Sequence, residues 1–313
     1  MKGKQATQSG RLGVQTMAQQ TEITAKLDTE ELAEAWAKKK GLRPKLLLDT
    51  RIGARTDLGL ARENNEDKFE FFEPEEPELL AVKGSFYAVA DGMGGHASGQ
   101  IASELALKTI VKTYYADPGE DVVESLRAAV CAANSYIYDT AQAVSERSGM
   151  GTTCTAAILR NDDMYVAHVG DSRLYLIRDG ELRRVSEDHS WVAEQVKRGA
   201  LTEEEAQMSP FRNVITRSLG AEPDVEVDIY EQKIRTGDVL VLCSDGLTGY
   251  VPDAEILELA GAWSPSMAAL KLVDRANELG GGDNITVIVV AVRGIQKAGK
   301  RSRLGRFLGR GRE

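Results

Sequence analysis

Four aspartates sit where short apolar runs break, and they limit what this chain can fold into more than any other feature. Asp91 stands in Val-Ala-Asp-Gly-Met-Gly-Gly-His, Asp171 in Val-Gly-Asp-Ser-Arg, Asp245 in Cys-Ser-Asp-Gly and Asp283 in Gly-Gly-Gly-Asp-Asn. The first three follow runs that read as buried strands, and Asp283 precedes one. A loop at a strand end is carried by a rigid sheet, so it can hold a carboxylate at a fixed distance from others remote in sequence. Oxygen-only ligands of this kind suit a hard divalent cation, Mg²⁺ or Mn²⁺, rather than zinc.

Charge distribution agrees with a cation site. The net charge of −9 divides into +6 over residues 296–313 (seven Lys or Arg, one Glu), +3 over residues 1–49 (nine basic, six acidic) and therefore −18 over residues 50–295. An acidic body of this kind argues against general nucleic-acid binding. At 313 residues and 42% hydrophobic the chain can bury one large core or two modest ones. Cys131, Cys154 and Cys243 form no close pair, the pattern of buried thiols in a reducing compartment. No apolar run approaches the ~18 residues of a membrane span, and the polar N-terminus lacks the core of a secretory signal. A soluble, cytoplasmic monomer is expected.

Three parts are expected along the chain. Residues 1–48 are polar and read as a flexible extension, with a possible amphipathic helix from Thr29 to Lys40 that stops at Gly41 and Pro44. Residues 50–294 form the folded body. Residues 295–313 read as a basic, disordered tail. Within the body the patterns predict strands at Ser85–Ala90, Thr153–Leu159, Met164–Val169, Arg173–Ile177, Glu181–Val185, Val214–Leu219, Val239–Cys243 and Ile285–Val292. Helices are predicted at Ser98–Tyr115 and Asp121–Ala143, with shorter ones at Trp191–Gly199 and Leu201–Gln207. Arg178-Asp179-Gly180 reads as a hairpin turn, so the sheets are antiparallel. Strands apolar on both faces need cover on both sides, which gives an α+β sandwich of helix, sheet, sheet and helix layers.

The segment Thr56–Asp67 supplies an anion partner. It reads Arg62-Glu63-Asn64-Asn65-Glu66-Asp67, an arginine four and five residues ahead of a Glu-Asp pair. A guanidinium presents a planar fork that matches phosphate oxygens two at a time, as a lysine cannot. Carboxylates alone would repel a phosphoester dianion, but two cations and one arginine reverse the local sign. The residues therefore point to metal-dependent hydrolysis of phosphate esters.

Six motifs in order resemble the metal-dependent serine/threonine phosphatase family, the PPM or PP2C type, in its bacterial form. They are Arg62-x-x-Asn-Glu-Asp, Asp91-Gly-Met-Gly-Gly-His, Gly149-Met-Gly-Thr-Thr, Gly170-Asp-Ser-Arg, Ser244-Asp-Gly and Gly282-Asp-Asn, within residues 56 to 293. The resemblance implies a pair of central antiparallel sheets flanked by helices. It also implies that Asp91 bridges two Mn²⁺ or Mg²⁺ ions, the Gly92 carbonyl helping to bind one, and that Asp245 and Asp283 complete the ligands of the other. Glu66 and Asp67 would act through metal-held waters, Asp67 orienting the nucleophile. Asp171, with Asp245, would hold a weaker third ion, and Arg62 would hold the substrate phosphate. A water between two cations loses a proton readily, so direct attack on phosphorus needs no phosphoenzyme. His96, five residues after Asp91 as in bacterial members, is the candidate general acid, because histidine titrates near neutral pH.

Other features carry less chemistry. His168 lies in an apolar strand and reads as a hydrogen-bonded core residue; His189 reads as a brace for a nearby loop. Gly149–Thr153 lacks the Lys and spacing of a P-loop and reads as a close-packed strand entry. The resemblance implies a movable flap near residues 191–217 with a role in substrate choice. It departs from the family pattern at Gly99-Gln100, where Gly-Glu is usual. The tail interleaves Lys300, Arg301, Arg303, Arg306 and Arg310 with Leu304, Phe307 and Leu308; contact with an anionic membrane surface, contact with an acidic partner and a merely solubilising role all remain open. The expected activity is hydrolysis of phosphoserine and phosphothreonine in proteins, opposing bacterial kinases, with kinase substrates or the kinase itself as partners. A small-phosphoester hydrolase, an anti-sigma-antagonist phosphatase and a catalytically silent binding module are the alternatives.

Overall fold

The computed structural model describes residues 41–298, His96 excepted. The region of the expected Thr29–Lys40 helix and the tail from residue 299 lie outside the described residues, as does His96. Twelve strands are formed by the described residues: β1 (Leu46–Asp57), β2 (Lys68–Phe72), β3 (Ser85–Ala90), β4 (Gly92–Met93), β5 (Gly151–Thr152), β6 (Cys154–Arg160), β7 (Asp163–Val169), β8 (Arg173–Arg178), β9 (Glu181–Arg184), β10 (Asp228–Lys233), β11 (Val239–Cys243) and β12 (Ile285–Lys297). The helices are α1 (Pro77–Lys83), α2 (Ala97–Ala116), α3 (Val122–Ala143), α4 (Trp191–Lys197), α5 (Glu203–Met208), α6 (Asp245–Thr248), α7 (Asp253–Ala262) and α8 (Pro265–Glu278).

Two five-stranded antiparallel sheets, in the orders β1-β12-β11-β8-β9 and β10-β7-β6-β3-β2, form the centre. Their layering follows from the two-residue period of a strand. In β3, Phe86 and Ala88 pack with α2 and α3, whereas Tyr87 and Val89 face the other sheet. In β11, Val241 and Cys243 pack with α7 and α8, whereas Leu240 and Leu242 face the sheet that holds β3. Each inner strand thus buries both faces, which explains its unbroken apolar run. The result is the expected four-layer αββα sandwich.

Local chemistry sets the joints. Asp121 caps α3 by accepting from Val123 and Glu124 N–H, and Thr202 with Glu205 closes a capping box on α5. Asp179 and Gly180 turn the β8–β9 hairpin with φ of 53° and 79°, the left-handed pair that a two-residue loop needs.

Three expectations change. Leu46–Leu48, placed in the flexible extension, begin β1, and Ile295–Lys297, placed in the tail, end β12; the two segments pair with each other, with Leu46 opposite Lys297. Each end alone has too little apolar surface to be read as a strand, and their pairing supplies the missing contacts. The strand expected at Val214–Leu219 is absent: only single bridges form, Ser190 with Ile215 and Thr152 with Leu219. Val214 is exposed, and no neighbouring strand offers this segment a continuous edge. None of the helices among the described residues is long and apolar enough to cross a membrane.

Candidate active site

The sheets bring five aspartates to one region. Asp91 lies between β3 and β4, Asp171 between β7 and β8, Asp245 just after β11, Asp283 just before β12, and Asp67 just before β2. The carboxylates of Asp67, Asp171, Asp245 and Asp283 all act electrostatically on Asp91. Burial, reinforced by that repulsion, pushes Asp91 and Asp171 well above the usual carboxylate range. Burial likewise raises Asp245, with Asp283 adding to it, and lifts Asp67 to about 7.

Backbone and hydroxyl contacts hold these loops. Asp91 N–H donates to Thr153 Oγ1 and its carbonyl accepts from Thr152 Oγ1, each at 2.9 Å. The Gly149–Thr153 motif therefore clamps the Asp91 loop. Asn284 ties the Arg62 loop to the Asp283 loop: its Nδ2 donates to the carbonyls of Leu58 (2.9 Å) and Asn64 (3.0 Å), and its Oδ1 accepts Glu66 N–H (2.8 Å). Ser244 Oγ donates to Asp67 Oδ2 at 2.6 Å and accepts Thr286 N–H at 3.0 Å. Gly99 and Gly92 pack face to face beside Glu66. A Cβ on Gly99 would fall 1.9 Å from Glu66 Oε2 and one on Gly92 would fall 2.1 Å from Gly99 O, so neither position has room for a side chain.

Arg62 is half-exposed and places Nη2 2.8 Å from Asp283 Oδ2. That hydrogen bond raises its already high pKa. The structure thus gathers Arg62, Glu66, Asp67, Asp91, Gly92, Asp171, Asp245 and Asp283 in one region. His96 alone of the expected residues is outside the description.

Among the described residues, no three His, Cys, Asp or Glu side chains enclose a ready-made metal position. The fit therefore rests on single atoms. Asp67 Oδ1, Asp171 Oδ1 and Asp245 Oδ1 are buried without a hydrogen-bond partner. An orphaned buried acceptor costs about 1–3 kcal/mol, more when charged. Three such oxygens in one acidic cluster fit hard divalent cations, which would satisfy them and relieve the repulsion.

Thr152, Thr153, Ser244 and Asn284 stood within the motifs quoted from sequence but were given no role of their own, and Thr286 was not singled out. Ser244 and Asn284 directly flank Asp245 and Asp283, so a polar neighbour beside each acid was the available signal. Thr286 lies inside β12 and gave none.

The protein phosphatase 2C family pattern matches residues 56–195. The chain is 38% identical over 248 residues to the serine/threonine phosphatase stp of Listeria welshimeri, covering 78% of this chain and 96% of that one. It is also 38% identical to the serine/threonine protein phosphatase PstP of Mycobacterium tuberculosis, over 79% of this chain and 46% of that protein. The crystal structure of the PstP catalytic domain in complex with two manganese ions superposes with a TM-score of 0.69, 38% identity and coverage of 78% of this chain and 99% of that one.

Proposed function

The chain belongs to the protein phosphatase 2C family and is a serine/threonine phosphoprotein phosphatase; from that premise we propose that it hydrolyses phosphoserine and phosphothreonine without a phosphoenzyme, opposing bacterial protein kinases. Asp91, the Gly92 carbonyl, Asp245 and Asp283 would hold two Mn²⁺ or Mg²⁺ ions, as two manganese ions are held in the PstP catalytic domain. Asp171, together with Asp245, would hold a weaker third. When bound, such ions neutralise phosphoryl oxygens and acidify water.

The chain's own residues do the rest. Arg62 presents the fork that binds the phosphate, and its pairing with Asp283 keeps that fork at the cluster's edge. Asp67, anchored through Oδ2 by Ser244, turns Oδ1 to orient the attacking water. Glu66 supports the same loop, its backbone fixed by Asn284. His96 would give its proton to the departing seryl or threonyl oxygen.

One observation carries this reading: three buried carboxylate oxygens, from three separate loops, lack any partner in an electrostatically coupled acid cluster. The test is hydrolysis of a phosphothreonine peptide and p-nitrophenyl phosphate with Mn²⁺, Mg²⁺ or EDTA, alongside Asp91→Ala. Turnover that requires metal and vanishes in the variant is expected. Folded protein inert with every metal would overturn the reading.

A further inference from the structure

His189 is a nearly buried side chain that the reaction does not use, and it bonds through both backbone groups and both ring nitrogens. Its N–H donates to Gly170 O at 2.7 Å, and its Nδ1 accepts Gly170 N–H at 3.0 Å. One residue therefore clasps both peptide groups of Gly170, immediately before Asp171. Gly170 needs that grip. Its φ is +110°, and an added Cβ would meet Thr153 at 2.6 Å, so the loop sits in a conformation only glycine adopts.

The carbonyl of His189 reaches the other way, accepting Thr216 N–H at 2.9 Å. Beside it, Ser190 bridges Ile215 and Trp191 N–H donates to Val214 O at 2.8 Å. These contacts close the base of the 191–214 segment, across which the rings of Trp191 and Phe211 meet at 5.2 Å. On the ring's far side, Nε2 lies 3.2 Å from Asp228 Oδ2 and 3.1 Å from Arg217 Nη1, which donates to Asp228 Oδ1 at 2.7 Å. Because Nδ1 accepts from Gly170, the neutral ring carries its proton on Nε2 and gives it to Asp228.

Resting on the reading of Asp171 as a cation ligand, we propose that His189 is a positioning residue that pins the Gly170 peptide to the base of the 191–214 segment, so that the stance of that segment sets the position of the Asp171 carboxylate. A ligand oxygen is only as effective as the backbone behind it, and outer contacts of this kind typically govern metal affinity about 10- to 100-fold. Asp171 Oδ1, buried and without a partner, is the atom whose placement His189 controls.

The full chain tests this with His189→Leu, His189→Asn and His189→Gln. Asn sets an acceptor oxygen near the place of Nδ1 but nothing near Nε2; Gln does the reverse. Mn²⁺ binding is followed by the paramagnetic resonance of free Mn²⁺, and the Gly170 amide by hydrogen exchange. The Leu and Gln variants should bind the weakest Mn²⁺ about tenfold less tightly and exchange the Gly170 amide faster. The Asn variant should recover both. The same affinity in Leu and wild type, or in Asn and Leu, overturns the proposal; if Leu does not fold, Asn against Gln at matched thermal midpoints decides. Wild type that binds Mn²⁺ but hydrolyses no phosphopeptide would overturn the phosphatase reading while leaving these measurements decisive for His189. Wild type that binds no Mn²⁺ would overturn both.

Discussion

The two ends of strand β11 carry the same residue type in opposite conditions. At its start, Asp238 is almost fully buried and completely satisfied: Oδ1 accepts Arg178 Nε at 2.9 Å, and Oδ2 accepts Arg178 Nη2 and Arg235 N–H at 2.7 Å each. At its end, Asp245 is half-buried, its Oδ1 is covered without a partner, and burial with the nearby Asp283 pushes its pKa up. Five residues, Val239–Cys243, separate the two loops. One end of the sandwich closes its charges internally and gains stability. The other leaves them open and is destabilised by repulsion that only an external cation relieves.

The largest expected effect breaks or keeps that contrast directly. In Asp245→Asn, Mn²⁺-dependent turnover should be lost, while the thermal midpoint in EDTA stays level or rises, because the neutral amide removes one charge from the cluster. Turnover within about tenfold of wild type, the mild end of the loss from a removed outer contact, would mean that Asp245 is no more functional than Asp238. Asp238→Ala should do the opposite. It takes the carboxylate from the partly exposed Arg178, which keeps Lys233 O as an acceptor, and from the Arg235 N–H; losing hydrogen bonds to a charged group costs about 1.5–3 kcal/mol. Urea unfolding should show that loss, with the activity of the folded fraction intact. An unfolding free energy near wild type would remove the structural half of the comparison.

How much of this was legible in the sequence differs between the two ends. Asp91, Asp171, Asp245 and Asp283 stood out because each interrupts or precedes an apolar run, and the two-face burial of β11 and β12 followed from those runs. Asp238 gave no signal, since its partner Arg178 lies 60 residues away. The same reason hid Thr286, the tying role of Asn284 and the Leu46–Lys297 pairing: each acquires meaning only from a contact remote in sequence. Val214–Leu219 failed the other way, with strand-forming residues but no continuous edge to pair with.

Strand β7 gives a milder test, because His168 is fully buried beside the Asp171 end. Its Nε2 donates to Glu187 O at 2.9 Å, and burial lowers its pKa to about 4. The folded state thus resists a proton that the unfolded chain accepts at about 6.5. Stability from the neutral ring is present above that pH and is lost as pH falls from about 6.5 to about 4, by up to about 3 kcal/mol. His168→Gln, which cannot titrate, should flatten that part of the stability curve. Parallel wild-type and variant curves between pH 4 and 6.5 would show that acid attacks this end through other groups.

The smallest effect expected falls on Ser244, which links the two kinds of aspartate: it satisfies one oxygen of Asp67 while Oδ1 of the same carboxylate stays open. Removing the hydroxyl strips Asp67 Oδ2 of its 2.6 Å donor and leaves the Thr286 N–H without the oxygen it reaches at 3.0 Å. A neutral donor to a carboxylate is worth about 1.5–3 kcal/mol when lost. If Asp67 orients the attacking water, that loss belongs to the transition state, and Ser244→Ala should lower kcat about tenfold with the phosphopeptide KM almost unchanged. If Ser244 only braces the start of β12, kcat and KM should hold and the thermal midpoint alone should fall. The split between those two readouts decides whether the satisfied half of Asp67 serves the fold or the reaction.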